Sequence, residues 1–272
     1  MDYNPPRPQD EKEILSKYEG DDAVISSAEM KEFLDNHPQN IVQFKSGIPT
    51  LDSLTEGFEG GELIVVSGPT KHGKSLLCQS ITRNMSNAGI KALWFSYEMP
   101  VRQLIARFGD NPPLFYLPKR LKGRADTWLR EKMLEAKLKY GVRAVFIDHL
   151  HFLIDLIQLR SPSLEIGAIV RKLKRIAMEL NIVIFLVAHL TKTELDHEPN
   201  VNDIRDSSLI AQECDCLFTI HRLRDKATNE FTDEAKLIVQ IHRRTGVMSK
   251  PLTLMLKDGF FVEKIIGEVP SV

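Results

Sequence analysis

From residue 41 onward, short apolar segments alternate with amphipathic helical ones. Five of the apolar segments are rich in β-branched or aromatic residues and are bounded by glycine, proline or polar residues, which is typical of buried parallel strands. These five segments are residues 63–66, 92–97, 144–147, 182–188 and 216–220. The clearest helical pattern covers residues 163–180, where apolar positions repeat at spacings of three and four. The alternation predicts strands connected by helices.

Two further apolar segments follow residue 222. They cover residues 237–242 and 252–256, and turn-forming residues separate them. We expect them to form a closing C-terminal β-hairpin. Residues 41–272 are therefore predicted to form one α/β domain, with a mostly parallel central sheet flanked by helices on both faces.

Residues 1–40 have a different pattern. The first 13 residues are rich in proline and charge, which predicts a flexible tail. Ser26 and Glu29 have the spacing of a capping box, and the short helix that would follow places Met30, Phe33 and Leu34 on one face. A helix of this length is marginal alone, so it must dock either on its own domain or on a neighbouring subunit. Both alternatives stay open.

The composition is that of a globular protein able to bury a large core. The chain has 272 residues, of which 43% are hydrophobic, and 36 Lys+Arg balance 37 Asp+Glu to give a net charge of −1. This excludes disorder throughout and argues against broad electrostatic affinity for DNA, although a local basic pore is compatible with it. The longest apolar run, residues 182–188, is far shorter than the roughly 18 residues of a membrane span. With no signal-peptide pattern at residue 1, the expected location is cytoplasmic.

Three cysteines, Cys78, Cys214 and Cys216, give no framework of paired spacings. Cys214 and Cys216 lack a second ligand pair that would complete a four-ligand zinc site. We therefore expect reduced, structural thiols and no metal held by cysteine.

The strongest chemical signal is the sequence GPTKHGKS at residues 68–75. It matches the phosphate-binding pattern G-x-x-x-x-G-K-[ST] and lies between a predicted strand and a predicted helix. The residues are Gly68, Pro69, Thr70, Lys71, His72, Gly73, Lys74 and Ser75. Backbone N–H groups of such a loop wrap a β-phosphate, Lys74 would reach β- and γ-phosphate oxygens, and Ser75 would bind Mg²⁺. The alternative is a purely structural glycine-rich turn that binds no ligand.

Two carboxylates follow neighbouring predicted strands. Asp148 ends the segment 144–147 and is the expected Walker B acid that orders Mg²⁺; its alternative role is to cap a helix. Glu98 follows the segment 92–97, so its carboxylate is expected at the same sheet edge as the P-loop. We therefore predict that Glu98 activates the water that attacks the nucleotide.

Six segments then occur in order: GIPTLDSLTEGFEGGELIVVSGPTKHGKS, WFSYEMP, VFIDHLHFL, RKLKRIAMELNIVIFLVAHL, DIRDSSLIAQECDCLF and HRRTG. Together they resemble the RecA-like motor domain of DnaB-type replicative helicases, over about residues 41–260. The resemblance implies a RecA-like P-loop NTPase fold and an ATP- and Mg²⁺-dependent helicase or translocase. It gives Lys74, Ser75, Glu98 and Asp148 the roles already assigned.

The resemblance also implies roles that the residue pattern alone does not give. His189 matches a position that senses the γ-phosphate, the alternative being a structural histidine. Arg244 in HRRTG matches an arginine finger that enters the neighbouring subunit's site, which requires an oligomer, expected to be a hexamer. His242 lies where many members carry a second basic residue that contacts the nucleotide.

The DIRDSS segment corresponds to a stretch that contacts single-stranded DNA in this family. The resemblance therefore places Arg205, Asp206 and Ser208 at a DNA backbone, and the polar loop 191–202 at a central channel. It further implies a replication loader or primase as a partner. A different class of function stays open, namely a RecA/KaiC-like ATPase switch that changes its assembly without unwinding nucleic acid.

Overall fold

The computed structural model describes residues 12–13, 15–20, 23–37, 42–122, 126–150, 162–189 and 207–264. The chain divides into two compact units, residues 1–40 and 41–272, which are described separately. In the first unit, helix α1 (Ser27–Asn36) begins after Ser26. The Ser26 hydroxyl accepts a hydrogen bond from the N–H of Glu29, and the Glu29 carboxylate accepts one from the N–H of Ser26. The predicted capping box is confirmed.

The second unit contains the chemistry-bearing segments. Its amino-terminal half consists of β1 (Gln43–Phe44), α2 (Pro49–Thr55), β2 (Phe58–Glu59), β3 (Leu63–Gly68), α3 (Lys74–Asn87), β4 (Ala92–Ser96), α4 (Val101–Ala106) and β5 (Phe115–Tyr116). The rest consists of α5 (Asp126–Tyr140), β6 (Ala144–Asp148), α6 (Pro162–Leu180), β7 (Val183–His189), α7 (Ser207–Glu213), β8 (Cys216–Arg224), β9 (Phe231–His242), β10 (Leu252–Lys257) and β11 (Phe260–Glu263). None of the helices that the structure describes is both long and apolar enough to cross a bilayer.

Nine strands form one mixed sheet in the order β11-β10-β9-β8-β3-β7-β6-β4-β5. The strands from β8 to β5 run parallel, which confirms the five predicted parallel strands as β3, β4, β6, β7 and β8. The predicted hairpin is confirmed as β9 and β10. It is larger than expected, because β9 also pairs with β8 and β11 adds a further antiparallel strand.

Strand β3 lies at the centre of the nine-stranded sheet and is buried on both faces. Ile64 and Val66 belong to the apolar layer that includes α3, whereas Leu63 and Val65 belong to the layer that includes α6. This alternation is what a strand between two helical layers requires. Packing from both sides fixes the carboxyl end of β3, where the phosphate-binding loop begins.

Candidate nucleotide-binding site

The phosphate-binding loop connects β3 to α3, as the sequence predicts. Gly68 passes so close to β8 that a β-carbon there would lie 2.1 Å from the carbonyl oxygen of Ile220. Gly73 has φ +98°, and a β-carbon would lie 2.7 Å from the ring of Phe261. Only glycine fits either position, so the two glycines of the motif are required by the backbone and by its neighbours.

Lys74 is the first residue of α3 and is almost completely buried. Its Nζ donates hydrogen bonds of 2.9 Å to the carbonyl oxygens of Gly68 and Pro69. Burial lowers the pKa of Lys74 to about 8, and the nearby carboxylates of Glu98 and Asp148 oppose this shift. The ammonium group is therefore held against the loop in a partly desolvated environment, where an anionic partner would interact strongly with it.

Asp148 ends β6 and is 2% exposed. Burial raises the pKa of its carboxyl group to about 6, while a hydrogen bond from the Ser75 side chain lowers it and the charge of Glu98 raises it further. Oδ1 of Asp148 has no hydrogen-bond partner within the described residues. A buried carboxylate oxygen without a partner, beside a serine hydroxyl, is a set of oxygen ligands that suits a divalent cation.

Glu98 and His189 complete this edge of the sheet. The N–H of Glu98 donates a 3.1 Å hydrogen bond to the carbonyl oxygen of Asp148, which holds the two acids together. His189 is the last residue of β7 and lies opposite Gly68 in the parallel register. Both side chains line a cavity of about 480 Å³ together with Lys74 and Ser75. The expected convergence of these residues is therefore seen.

Comparisons with known proteins agree with this geometry. The sequence profile described as DnaB-like helicase C terminal domain matches residues 44–110 and 122–260. The chain belongs to this family. A replicative DNA helicase DnaB from Leifsonia xyli is 26% identical over 236 residues, which cover 73% of this chain and 52% of that protein. The chain thus spans about half the length of the curated relatives it matches.

Solved structures show the same fold. A DnaB-like replicative helicase, studied with its interactions with primase, matches 93% of this chain and 70% of its own, with a TM-score of 0.71 and 22% identity. A KaiC-like protein from Pyrococcus horikoshii matches 83% of this chain with a TM-score of 0.62 and 16% identity. The predicted RecA-like α/β fold is confirmed.

Three polar residues that line the cavity of this DnaB-like domain, and a histidine beside it, were not found from the sequence. Gln103 and Arg107 lie one helical turn apart on α4 and its end, and both line the cavity. Gln103 and Arg107 are four residues apart in the segment that follows Glu98, and this helical spacing is a signal that could have found them. Arg222 also lines the cavity, on a part of β8 that the apolar pattern did not cover. His149 approaches Glu98, with 4.0 Å between His149 Nε2 and Glu98 Oε2.

His72 ties the phosphate-binding loop to the antiparallel part of the sheet. Its Nδ1 accepts a 3.2 Å hydrogen bond from the N–H of Arg222, and its ring packs edge-on against Phe231. Burial, then the charges of His221, Arg224, Lys74 and Arg222, lower the pKa of His72 to about 4. The imidazole is therefore neutral at pH 7 and anchors the loop.

Arg244 and His242 lie at the opposite end of the sheet. Cys216 pairs with both Ile64 and His242, so the end of β9 lies beside the start of β3. Six residues of β3 at about 3.3 Å each separate that end from the P-loop by roughly 20 Å. Neither side chain reaches the P-loop of its own subunit.

The remaining predicted contacts concern DNA. Arg205 and Asp206, like the loop 191–202, lie outside the described residues. Ser208 lies in α7, but its side chain is not among those described. Their assignment to a DNA backbone stays a prediction.

Proposed function

We propose that this chain is the ATP-hydrolysing motor of a DnaB-type DNA helicase or translocase, and that it works as a ring, expected to be a hexamer, on single-stranded DNA. One observation carries the proposal: the P-loop and Arg244 lie at opposite ends of β3. If Arg244 takes part in catalysis, it must therefore do so at the P-loop of another copy.

Nucleotide binding rests on the loop at residues 68–75. Its backbone N–H groups and the start of α3 favour an anion, and Lys74 would exchange its two carbonyl acceptors for phosphate oxygens. The oxygens of Ser75 and Asp148 fit Mg²⁺, which when bound would neutralise phosphate charge. The single unpartnered oxygen of Asp148 supports this assignment.

Hydrolysis needs a base for the attacking water. Glu98 borders the cavity beside Lys74, and its side chain is 41% exposed, so water can reach it. We assign it as the group that accepts the proton of that water. We assign His189, whose Nε2 lies 3.9 Å from Oε2 of Glu98, to follow the terminal phosphate and to pass its state to the segment after β7.

Arg244 is assigned to the neighbouring subunit's site, where a guanidinium stabilises charge in the transition state. His242 would accompany it, but its Nδ1 is 2.6 Å from the hydroxyl of Thr245, and burial lowers its pKa, so it would act as a neutral group. Single-stranded DNA would contact Arg205, Asp206 and Ser208, and a replication loader or primase is the further partner that the resemblance implies.

The test is steady-state Mg-ATP hydrolysis at low salt with and without long single-stranded DNA. We expect stimulation of several-fold or more, and RNA of the same sequence serves as the matched polymer. Lys74→Ala is the control that reveals contaminating ATPase, because it removes the phosphate-binding ammonium. A robust rate that is indifferent to DNA would contradict the proposal and favour the RecA/KaiC-like switch, whose fold likeness is also present.

A further inference from the structure

Three side chains of metal-ligand type converge beside the P-loop cavity. Glu98 follows β4, His149 follows β6 and His189 ends β7, and these strands are neighbours in the sheet. One ligand atom from each residue lies within 4.8 Å of the others. Each of three adjacent parallel strands therefore contributes one ligand at its carboxyl end.

The distances in this cluster suit an atom shared by all three groups. Oε2 of Glu98 lies 4.0 Å from Nε2 of His149 and 3.9 Å from Nε2 of His189. Direct hydrogen bonds are shorter, at about 2.7–3.2 Å. Ligands around a tetrahedral metal ion with bonds of about 2.0–2.1 Å are about 3.4 Å apart. The two distances from Glu98 exceed this spacing by about half an ångström, and no pair of ligand atoms in the cluster exceeds it by more than about 1.4 Å.

The three side chains differ in how far they are exposed and packed. The side chains of His149 and His189 are 11% and 21% exposed, and their rings pack edge to face with centroids 4.4 Å apart. Glu98 is more exposed, at 41%. The two imidazoles thus pack against each other, and rotation of the Glu98 carboxylate together with small movements of the rings would close the site.

We propose that Glu98, His149 and His189 bind one transition-metal ion of the Zn²⁺ class, and that the bound ion withdraws Glu98 from ATP hydrolysis. The first part stands on the geometry alone, whereas the second rests on the proposed function. Two imidazoles and a carboxylate form a ligand set of catalytic zinc sites, with a fourth position left for water. Mg²⁺ prefers oxygen ligands and is the weaker competitor for this set.

The surroundings define the expected strength and specificity. Lys74 and Arg107 line the same cavity, and their positive charges oppose a second cation. The affinity is therefore expected to be below that of closed four-ligand zinc sites. The thiols compete poorly, because they are buried and burial raises the pKa of Cys214 to about 12.

The experiment is a titration of the metal-free full chain with Co²⁺, followed in the visible absorption band of low-coordinate cobalt, and then with Zn²⁺ against a chromophoric chelator. We expect one saturable equivalent without nucleotide or DNA. His149→Gln is expected to weaken binding by about 100-fold or more, since losing a ligand costs more than the 10–100-fold of an outer-shell partner. Glu98→Gln, at a more exposed position, tests the site if His149→Gln unfolds.

His37→Gln, at an exposed position in the first unit, is the matched control and is expected to bind cobalt as the wild type does. In parallel, stoichiometric Zn²⁺ is expected to abolish ATP hydrolysis, and a chelator to restore it. The inference would be overturned if the wild type showed no saturable site, or if the Glu98 and His149 variants bound metal with the affinity of the wild type. A thiolate charge-transfer band would also overturn it. If the chain binds the metal but DNA does not stimulate hydrolysis, the proposed function is wrong and the metal site still holds. If DNA stimulates hydrolysis but no metal binds, the metal site alone is wrong.

Discussion

The two ends of strand β3 hold their cationic side chains, Lys74 and Arg244, in different ways. At the carboxyl end, among the residues that the structure describes, Lys74 donates to neutral backbone carbonyls only, and Asp148 keeps an unpartnered oxygen. At the amino end, Arg244 lies within 3.4 Å of the carboxylates of Glu56, Glu59 and Glu62. It also donates to the carbonyl oxygens of residues 55 and 57. The carboxyl end has unused capacity to bind ligands, whereas the guanidinium of Arg244 at the amino end is satisfied within the chain.

This difference separates an end that binds a ligand from an end that supplies a side chain to a neighbouring subunit. An end that binds phosphate and a cation leaves some hydrogen-bonding and metal-binding atoms without partners, because the ligand supplies those partners. An end that delivers a side chain to a neighbour must hold that side chain in one orientation beforehand, since ordering it later would cost conformational entropy. The three carboxylates around Arg244 fit the second description. The predictions below test whether the two ends act together.

The largest effect is expected from Arg244→Ala. If Arg244 completes a neighbour's site, its removal lowers the rate of ATP hydrolysis by about 10³- to 10⁵-fold and leaves nucleotide affinity nearly unchanged. Steady-state hydrolysis and equilibrium binding of a fluorescent ATP analogue measure the two quantities. A mixture of Arg244→Ala and Lys74→Ala subunits should regain partial activity, because one intact half from each variant can meet. No recovery at any mixing ratio would contradict a finger acting between subunits.

Glu98→Gln is expected to lower hydrolysis by about 10²- to 10⁴-fold, because the amide cannot accept a proton from water. ATP binding should persist, since the loop and Lys74 are unchanged. Single-turnover hydrolysis separates this chemical defect from slow product release. Glu131→Gln, on α5 away from the P-loop cavity, is the matched substitution and should hydrolyse ATP at the wild-type rate. Near-normal turnover of Glu98→Gln would show that another group is the base.

The carboxyl end was predictable from the sequence because its chemistry is local. The P-loop motif, Glu98 and Asp148 each follow a short strand that is buried on both faces, and such strands are visible as continuous apolar runs. The β-strands missed were short or largely polar. The amino half of β9, FTDEAK, is mostly polar, β5 has only two residues, and β11 has four.

The amino end was not predictable for a different reason. The anchoring of Arg244 depends on carboxylates more than 180 positions earlier in the chain, with separations of 182 to Glu62 and 188 to Glu56. No local spacing encodes such a contact, and only the packing of β9 beside β8 and β3 creates it. The His149 approach to Glu98 is of the same kind, since it requires the order of β4 and β6 in the sheet.

A smaller effect is expected from Glu62→Gln. Glu62 is buried, accepts a 3.0 Å hydrogen bond from Nε of Arg244 and accepts another from the N–H of Glu59. The amide retains only one acceptor, so the free energy of unfolding should fall by about 1–2 kcal/mol in urea titrations. Glu56→Gln is the control, because its exposed ion pair should contribute under about 0.5 kcal/mol. Equal losses in the two variants would show that Glu62 does not organise the amino end.

The smallest effect concerns the anchor of the P-loop itself. The pKa of His72 is lowered to about 4 in the folded protein from an ordinary value of 6.5, so the unfolded chain binds a proton first as the pH falls. Stability contributed by the neutral ring is thus complete above pH 6.5 and is lost between pH 6.5 and about 4. Because the ring is only half-buried, solvent screening keeps this loss below about 2 kcal/mol. Urea titrations at pH 7 and pH 5 should show a smaller drop for His72→Gln than for the wild type or His37→Gln. An identical drop in all three proteins would mean that the loop is not held by a neutral His72, and that acid sensitivity at this end arises elsewhere.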